Sequence, residues 1–279
     1  MIELNGLTKQ YGGFTAVDHL DLRIETGEFF GLLGPNGAGK TTTISMLSTL
    51  ILPTAGEVRI DGNKLTRNTA ALRRKLSVVT QEYSMRQDMT MDEVMEYQGR
   101  LYFMPKKLIR QRTEELLDFC GLLEYRRRTV RKLSGGMKRK LMVCRALLTQ
   151  PEILLLDEPT AGMDALARRQ MWQLLRKLNG QNLTILLTTH YMEEAENLCD
   201  RVGLMYGGKL EEIDTPKHMI EQFGKYAVDR PSDDGVQSSF FHTKEEAVQF
   251  LSDTKEDMSL RHTTLEDVFL DKVGKHLGR

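Results

Sequence analysis

The segment of residues 34–42, GPNGAGKTT, constrains the fold of this chain more than any other. It matches the phosphate-loop pattern G-x-x-x-x-G-K-[ST], in which the backbone N–H groups of a Gly-rich turn cradle phosphates. An apolar run at residues 29–33 precedes it, and a helical run at residues 43–47 follows it. This order of strand, turn and helix predicts a phosphate site, because a helix N-terminus attracts anions. In this pattern Lys40 reaches the β- and γ-phosphates, and the Thr41 hydroxyl holds Mg²⁺.

The composition excludes several classes of protein. The 279 residues suggest one large domain or two modest ones, and the 39 basic and 39 acidic side chains cancel, which argues against a dedicated nucleic-acid binder. Three widely spaced cysteines, Cys120, Cys144 and Cys199, indicate reduced thiols in the cytoplasm. The start lacks a signal-peptide pattern, and no apolar run approaches the roughly 20 residues of a spanning helix. We therefore expect a cytoplasmic chain whose membrane role requires a partner.

The first third of the chain has strand patterns separated by turns. Residues 2–30 alternate in hydropathy and are interrupted by Gly12 and Gly13, with Tyr11 just before them. Tyr11 either stacks on a base or packs on the sheet. We predict a turn at residues 53–56 and strands at residues 57–61 and 76–80. The second of these strands ends at Gln81, where α/β sheets place ligands, although an ordinary loop amide is an equal interpretation.

Residues 91–131 have a helical pattern rich in methionine and charge, which predicts a helical insertion into the sheet domain. Two basic runs, at residues 106–112 and 126–132, lie within it. They indicate either a solvated helix face or a surface near anionic lipid head groups.

A second Gly-rich helix start follows the insertion. Ser134 is a plausible N-cap, and Gly135 and Gly136 allow a close approach to the helix, which we predict from Lys138 to about Leu148. This start is a second candidate anion site in the same chain.

Two carboxylates end the next buried strand. The continuous apolar run at residues 153–156 leads into Asp157 and Glu158. Asp157 is placed to hold the Mg²⁺ shell, and Glu158 to orient or deprotonate a water. Adjacent side chains of a strand point to opposite faces, which suits two separate roles. An amphipathic helix at residues 165–178 and another buried strand at residues 183–187 follow, and that strand leads to His190, a candidate for the same site.

The composition changes at about residue 224. Beyond two short strands within residues 201–213, we predict a loop at residues 231–235, a strand at 238–242 and helices at 244–251 and 264–270.

Seven motifs stand in one order: Tyr11, the loop 34–42, Gln81, LSGGM at 133–137, ILLLDEP at 153–159, AGMD at 161–164 and His190. From residue 2 to about 223 this constellation resembles the nucleotide-binding subunit of ABC transporters. TLEDVFL at 264–270 is similar to the ending of ATP-binding subunits of ABC-2-type, daunorubicin-resistance-type exporters.

The resemblance implies an α/β fold and a domain division. The fold is a P-loop NTPase core with a mixed sheet, an antiparallel β subdomain and a helical insertion at about residues 88–140. It occupies residues 2–223, and a small α+β extension occupies residues 224–279.

The resemblance also implies a role for each motif residue. Tyr11 stacks on adenine, Thr41 and Asp157 surround Mg²⁺, and Gln81 touches the metal or the attacking water. Glu158 is the general base, and His190 contacts the γ-phosphate. The residues that wrap the phosphates are Gly34, Pro35, Asn36, Gly37, Ala38, Gly39, Lys40, Thr41 and Thr42. Ser134, Gly135 and Gly136 bind the γ-phosphate of a nucleotide that is held by a second copy, and Asp164 lies at the same interface.

The partners implied are a second copy or a homologous ATPase subunit, in a head-to-tail ATP sandwich, and a membrane-spanning permease. The chain would then lie on the inner face of the cell membrane through that permease. We expect a permease helix to dock against Tyr83, Met85 and Met89, although these side chains could instead only pack the insertion against the sheet. The signature departs from its common form at Met137, where Gln is usual, which puts any side-chain role at this position in doubt.

The function predicted is that of an ATP-hydrolysing motor of an exporter. Three alternatives remain: an importer subunit, a soluble ABC ATPase that acts on nucleic acid or ribosomes, and a kinase with the same loop. The short C-terminal tail disfavours the importer subunit, and the single nucleotide domain disfavours the soluble ATPase. The Ser-Gly-Gly cap together with His190 disfavours the kinase.

Overall fold

The computed structural model describes residues 1–232, 235–252 and 258–277. The described strands form three sheets of four, six and three strands. Helices cover the six-stranded sheet, so the fold is α/β with a mixed sheet and antiparallel sheets, as the sequence predicts.

The four-stranded sheet is antiparallel. Its spatial order is β2 (Phe14–Ile24), β1 (Ile2–Tyr11), β4 (Ala55–Ile60) and β5 (Asn63–Lys64). The alternation predicted from residues 2–30 produces the buried face of this sheet, to which Leu4 and Leu22 belong. The predicted turn at residues 53–56 is wrong at its end, since Ala55 and Gly56 open β4. A Cβ on Gly56 would lie 2.2 Å from the Gly6 carbonyl oxygen, so this glycine serves a close approach of two strands.

The six-stranded sheet carries the site. Its order is β10 (Lys209–Asp214), β9 (Arg201–Tyr206), β3 (Phe29–Leu33), β8 (Thr184–Thr189), β7 (Ile153–Asp157) and β6 (Leu76–Val79). All neighbours pair in parallel except β9 and β10. Every residue of β3, β7 and β8 is buried, as expected for parallel strands covered on both faces. The carboxyl ends of these strands therefore meet at one edge.

The helices before the C-terminal extension are α1 (Lys40–Leu47), α2 (Ala70–Arg74), α3 (Met91–Leu101), α4 (Lys106–Phe119), α5 (Gly135–Leu147), α6 (Ala165–Asn179), α7 (Met192–Leu198) and α8 (Pro216–Phe223). Two 3₁₀ turns, Leu123–Tyr125 and Val130–Lys132, follow α4. Thr90 and Glu93 form a capping box at the start of α3. The predicted helical insertion is therefore observed, and α5 begins three residues before the predicted Lys138 because Ser134 caps it.

The C-terminal segment forms a small α+β unit from β11 (Tyr226–Ser232), β12 (Gly235–Phe241), α9 (Lys244–Ser252), β13 (Ser259–His262) and α10 (Leu265–Leu277). The predicted loop at 231–235 is wrong at both ends, and its residues 233 and 234 lie outside the described residues. Pro231 fits in β11 because β13 pairs only with Tyr226–Asp229 of that strand, which leaves one side of Pro231 free of ladder bonds.

Two hydrophobic clusters flank the large sheet. One joins the helical insertion, α6, α7 and the residues Leu265 and Val268 of α10, while the other joins α1 to the antiparallel sheet. The boundary at 223/224 and the insertion limits of 88 and 140 stay predictions. In the described part of the chain, no helix has the length and apolarity that a bilayer crossing requires.

Candidate nucleotide site

The phosphate loop leaves the buried strand β3 and enters α1, with Gly39 as the residue before the helix. Two of its glycines are required by close packing. A Cβ on Gly34 would lie 2.2 Å from the Met205 carbonyl oxygen, and one on Gly39 would lie 2.4 Å from that of Ala16. Gly39 also has a φ of 106°, a left-handed conformation that favours glycine. The loop is thus a backbone cradle, which fits a ligand bound through phosphates.

Lys40 is buried at the first position of α1. Its Nζ donates to the carbonyl oxygens of Gly34, at 2.8 Å, and Pro35, at 3.0 Å, and lies 3.7 Å from Glu158 Oε1. Burial lowers the pKa of Lys40, and this outweighs the opposite influence of Glu158 and Asp157. The loop therefore folds back over a cationic head group next to the carboxylates of β7.

Asp157 receives two hydroxyl donors at the end of β7. Thr41 Oγ1 donates to Asp157 Oδ1 at 3.2 Å, and Thr188 Oγ1 of β8 donates to the same oxygen at 2.6 Å. Mg²⁺ prefers oxygen ligands and is commonly held by one or two protein oxygens together with phosphates. Thr41 and Asp157 fit that donor set. Within the described ranges no group of three or more His, Cys, Asp or Glu residues could hold a metal ion.

Glu158 is the first residue after β7, and its φ is 46°. Its N–H donates to the Thr188 carbonyl oxygen at 3.0 Å, which fixes this unusual backbone. The two carboxylates therefore differ in direction because the chain turns at Glu158, and not through strand alternation as predicted. Glu158 Oε2 lies 3.1 Å from His190 Nδ1, within ion-pair distance but without hydrogen-bond alignment. His190 follows β8 by one residue, so both predicted residues reach the same edge.

Tyr11 and Gln81 lie near this edge in different ways. Tyr11 ends β1 and is 50% exposed, so part of its side chain is accessible to a ligand. Lys9 Nζ lies 5.0 Å from the centre of its ring. The β1–β2 hairpin runs beside the loop, as the contact of Ala16 with Gly39 shows. Gln81 stands two residues after β6 with an exposed side chain, and its carbonyl oxygen accepts from Arg139.

The second Gly-rich start is a separate place in the molecule. Ser134 Oγ accepts the N–H of Met137 at 3.2 Å and caps α5, while Gly135 and Gly136 form its first turn. Asp164 caps α6, where its Oδ1 accepts the N–H of Ala167 at 2.8 Å. No hydrogen bond or ion pair joins residues 134–136 or 164 to residues 34–42 among the residues that the structure describes.

The predicted docking residues are placed differently from expectation. Met85 is 8% exposed and belongs to the core of the insertion, and Met89 is half-buried beside it. Tyr83 is 40% exposed, but its hydroxyl donates to the Gly135 carbonyl oxygen at 3.3 Å. Met85 is therefore too buried to contact a permease helix, while the docking of such a helix against Tyr83 and Met89 stays a prediction.

The sequence-based reasoning missed three residues. Thr188 lies in β8, and its bond to Asp157 follows from the parallel register that pairs the two residues, which no local pattern indicates. Phe14 pairs with Tyr11 across the hairpin and is 62% exposed, a second aromatic ring beside the first. Arg139 lies in α5 and is buried, and no local pattern indicates its partners.

Comparisons with known proteins agree with this geometry. The family model described as ABC transporter matches residues 17–161. A daunorubicin resistance ATP-binding protein of Streptomyces coeruleorubidus is 39% identical over 228 residues, which cover 82% of this chain and 72% of that protein. The chain belongs to the ABC transporter family.

Two further similarities refine the position within the ABC transporter family. A Nod factor export ATP-binding protein of Ralstonia nicotianae is 41% identical over 220 residues, which cover 79% of this chain and 68% of that protein. A solved dimeric ATP-binding cassette in a post-hydrolysis state, bound to ADP and phosphate, superimposes with a TM-score of 0.69 at 29% identity. That match covers 77% of this chain and 98% of the cassette. The chain is thus an ABC-type ATPase with exporter relatives, which confirms the predicted family and activity.

Proposed function

We propose that this chain binds ATP at residues 34–42, hydrolyses it with the help of Glu158, and powers export of a substrate through a separate membrane-spanning permease. The observation that carries the proposal is the meeting of Lys40, Asp157, Glu158 and His190 at one edge of the sheet. Lys40 and His190 approach opposite oxygens of the Glu158 carboxylate, at 3.7 and 3.1 Å.

Binding uses backbone, charge and stacking. The N–H groups of the loop and the start of α1 hold the phosphates, and Lys40 supplies the positive charge at the β- and γ-phosphates. The exposed ring of Tyr11 stacks on adenine, with Lys9 against the ring. Thr41, Asp157 and Gln81 are the residues that would hold Mg²⁺, which supplies charge neutralisation at the phosphates.

Hydrolysis assigns distinct tasks to the other side chains. Glu158 accepts a proton from the attacking water, because its carboxylate lies beside the loop and is fixed by the bond of its N–H to Thr188. Gln81 orients this water. His190 contacts the γ-phosphate and stabilises negative charge there. The Thr188 hydroxyl holds the Asp157 carboxylate in place. Asp157 thus stays available to the metal, and Glu158 to the attacking water.

The second Gly-rich start serves the nucleotide of another subunit. Ser134, Gly135 and Gly136 bind the γ-phosphate held by a second copy or a homologous subunit, with Asp164 at the same interface. Two copies arranged head to tail then complete two sites, a closed two-fold assembly. ATP favours the closed dimer because its γ-phosphate contacts exist only there, and hydrolysis removes them. The related solved cassette is dimeric, which supports the association of two such subunits.

The permease contact belongs on a cleft beside the Gln81 segment. This cleft has a volume of about 630 Å³ and is lined by Leu50, Leu101, Tyr102, Phe103 and Arg145. Phe103 is 91% exposed, and its three apolar neighbours are 45–63% exposed. Arg73, Arg74 and Arg145 also line the cleft, so it offers exposed apolar side chains together with positive charge, which suits an amphipathic helix of a membrane subunit. The chain then works in the cytoplasm, peripheral to the inner face of the cell membrane.

The test compares Mg-dependent turnover in matched variants. Purified chain with ATP and Mg²⁺ should release phosphate, and chelation of Mg²⁺ should stop it. Lys40→Ala should lose ATP binding or turnover with an unchanged unfolding temperature, whereas Lys64→Ala, which removes an exposed lysine of β5, should behave as the parent. Turnover by Lys40→Ala at the parental rate would overturn the phosphate-loop assignment.

A further inference from the structure

Arg139 is buried between α5 and the segment that follows β6. It is 2% exposed and is among the largest fully buried side chains of the described chain. Its Nη1 donates to the Thr80 carbonyl oxygen at 2.7 Å, and its Nη2 donates to that of Gln81 at 2.9 Å. Because β6 ends at Val79, these two carbonyls lie beyond the strand, and the planar guanidinium takes both.

The chemistry of Arg139 is unusual for a buried cation. Its hydrogen-bond partners in the described structure are the two carbonyl oxygens and the sulfur of Met142, none of them a carboxylate. The ring of Tyr83 lies 5.1 Å from its Cζ, and burial lowers the pKa of its guanidinium. Burial of a charge is costly, and the carboxylates of Asp157 and Glu194 offset this cost only in part, because neither forms a hydrogen bond or ion pair with Arg139 in the described structure. The hydrogen bonds to the carbonyl oxygens of Thr80 and Gln81 are therefore the main direct interactions that compensate for the burial of this charge.

The same helix holds the rest of the segment. The Tyr83 hydroxyl donates to the carbonyl oxygen of Gly135, the first residue of α5. Two turns beyond Arg139, Arg145 donates from Nη1 to the Ser84 carbonyl oxygen and from Nη2 to the Ser84 hydroxyl, each at 2.8 Å. Residues 80, 81, 83 and 84 are thus attached to α5 by five hydrogen bonds, from its first residue to its last turn.

We propose that Arg139 is a positioning residue, which fixes Gln81 through its backbone carbonyl to the helix that begins at Ser134. The inference rests on the proposed function, in which Gln81 serves the chain's own nucleotide and Ser134 serves that of the partner. A movement of α5 when it engages the partner's γ-phosphate then carries Gln81 with it. This link is contiguous and bonded, so it can transmit a change from one site to the other.

The experiment is a double-mutant cycle on hydrolysis. Arg139→Lys keeps the charge but loses the planar fork that binds two carbonyls. Its kcat should fall by about tenfold, a usual strength for coupling between sites, while the KM for ATP stays within about twofold. In a chain that already carries Gln81→Ala, the same change should lower kcat by less than about twofold, because the residue it positions is absent. Arg176→Lys is the matched control, since Arg176 also donates to a backbone carbonyl, that of Asn197, and should leave kcat unchanged.

The possible failures are distinguishable. If Gln81→Ala has the parental kcat, the proposed role of Gln81 is wrong and the inference falls with it. If Gln81→Ala lowers kcat and Arg139→Lys lowers it equally in both backgrounds, the proposed function stands and the inference is overturned. Unfolding temperatures are measured for every variant. If Arg139→Lys does not fold, Arg139→Gln, a neutral side chain with a single amide donor group, replaces it in the same cycle with the same expected pattern.

Discussion

The helices α1 and α5 both begin at Gly-rich turns, but their surroundings are opposite. The start of α1 is buried, with Lys40 5% exposed and the carboxylates of Asp157 and Glu158 beside it. The start of α5 is open, with Ser134 and Gly135 exposed and with no hydrogen bond or ion pair, in the described part of the chain, to the phosphate loop.

In the proposed function, these two helix starts are the two halves of one kind of site. The first half has a cradle, a cation, metal-binding oxygens and a base, which are the groups that we propose for phosphate binding and for activation of the water. The second half has N–H donors and a hydroxyl, which in the proposed function recognise a phosphate. A helix start of this kind, held open at the surface, suits a nucleotide that another subunit brings.

The largest effect is expected from Glu158→Gln, which removes the proposed base from the first half and leaves the second half unchanged. Hydrolysis should fall by about 10²- to 10⁴-fold, because loss of a general base has that cost. ATP binding should persist, so the ATP-bound dimer should accumulate and appear in size-exclusion chromatography with ATP. Glu193→Gln, an exposed change three residues after His190, is the control and should keep parental turnover. A Glu158→Gln chain that stays monomeric in ATP would contradict the sandwich.

A smaller effect is expected from Tyr11→Ala, which weakens the first half only. Loss of a base-stacking ring is worth about 1–3 kcal/mol, or about 5- to 150-fold in the dissociation constant for ATP. Titration of ATP by fluorescence or calorimetry measures it. Tyr97→Ala, which removes an exposed ring of α3, should leave the affinity unchanged. If Phe14→Ala weakens ATP binding while Tyr11→Ala does not, the base stacks on Phe14 and the assignment moves by three residues.

The smallest effect is expected from Met137→Gln, which restores the usual end of the signature. The half-buried Met137 side chain packs against the hydrophobic core, and its N–H already bonds to Ser134. Donation by Ser134 and Gly136 does not depend on this side chain, so kcat should change by less than about twofold, within the range of neutral surface substitutions. A change of tenfold or more would assign a direct role to residue 137.

Most of the first half could be predicted from the sequence. The pattern at residues 34–42 carries its own local structure, and the strands before Asp157 and His190 are long apolar runs whose ends fall at one edge by the rules of parallel sheets. The sequence thus predicts Asp157 and Glu158 at the same phosphate site as Lys40. The turn at Glu158, with its φ of 46°, is set by the neighbouring strand β8 and has no local signature.

The contacts of the second half could not be predicted in the same way. Arg139 and Met85 lie in segments that read as a charged helix and a polar loop, and their burial depends on how the insertion packs on α5. Strands β11 and β13 were missed because pairing of distant segments stabilises them more than their own sequence does. The burial of Arg139 and Met85 and the formation of β11 and β13 therefore depend on tertiary packing, and not on local sequence patterns.

The most direct measurement of the central claim is complementation between two inactive chains. Lys40→Ala disables the first half, and Ser134→Arg disables the second by placing a bulky side chain at the start of α5. Each variant alone should form no intact composite site, and its ATP hydrolysis should be at background.

Differently tagged variants are mixed and purified through both tags, which shows that mixed dimers form, and phosphate release is then measured. The account predicts hydrolysis by the mixture, because the Lys40 of one subunit and the Ser134 of the other complete one site. A verified mixed dimer without hydrolysis would contradict it and would mean that Ser134 serves the nucleotide of its own chain.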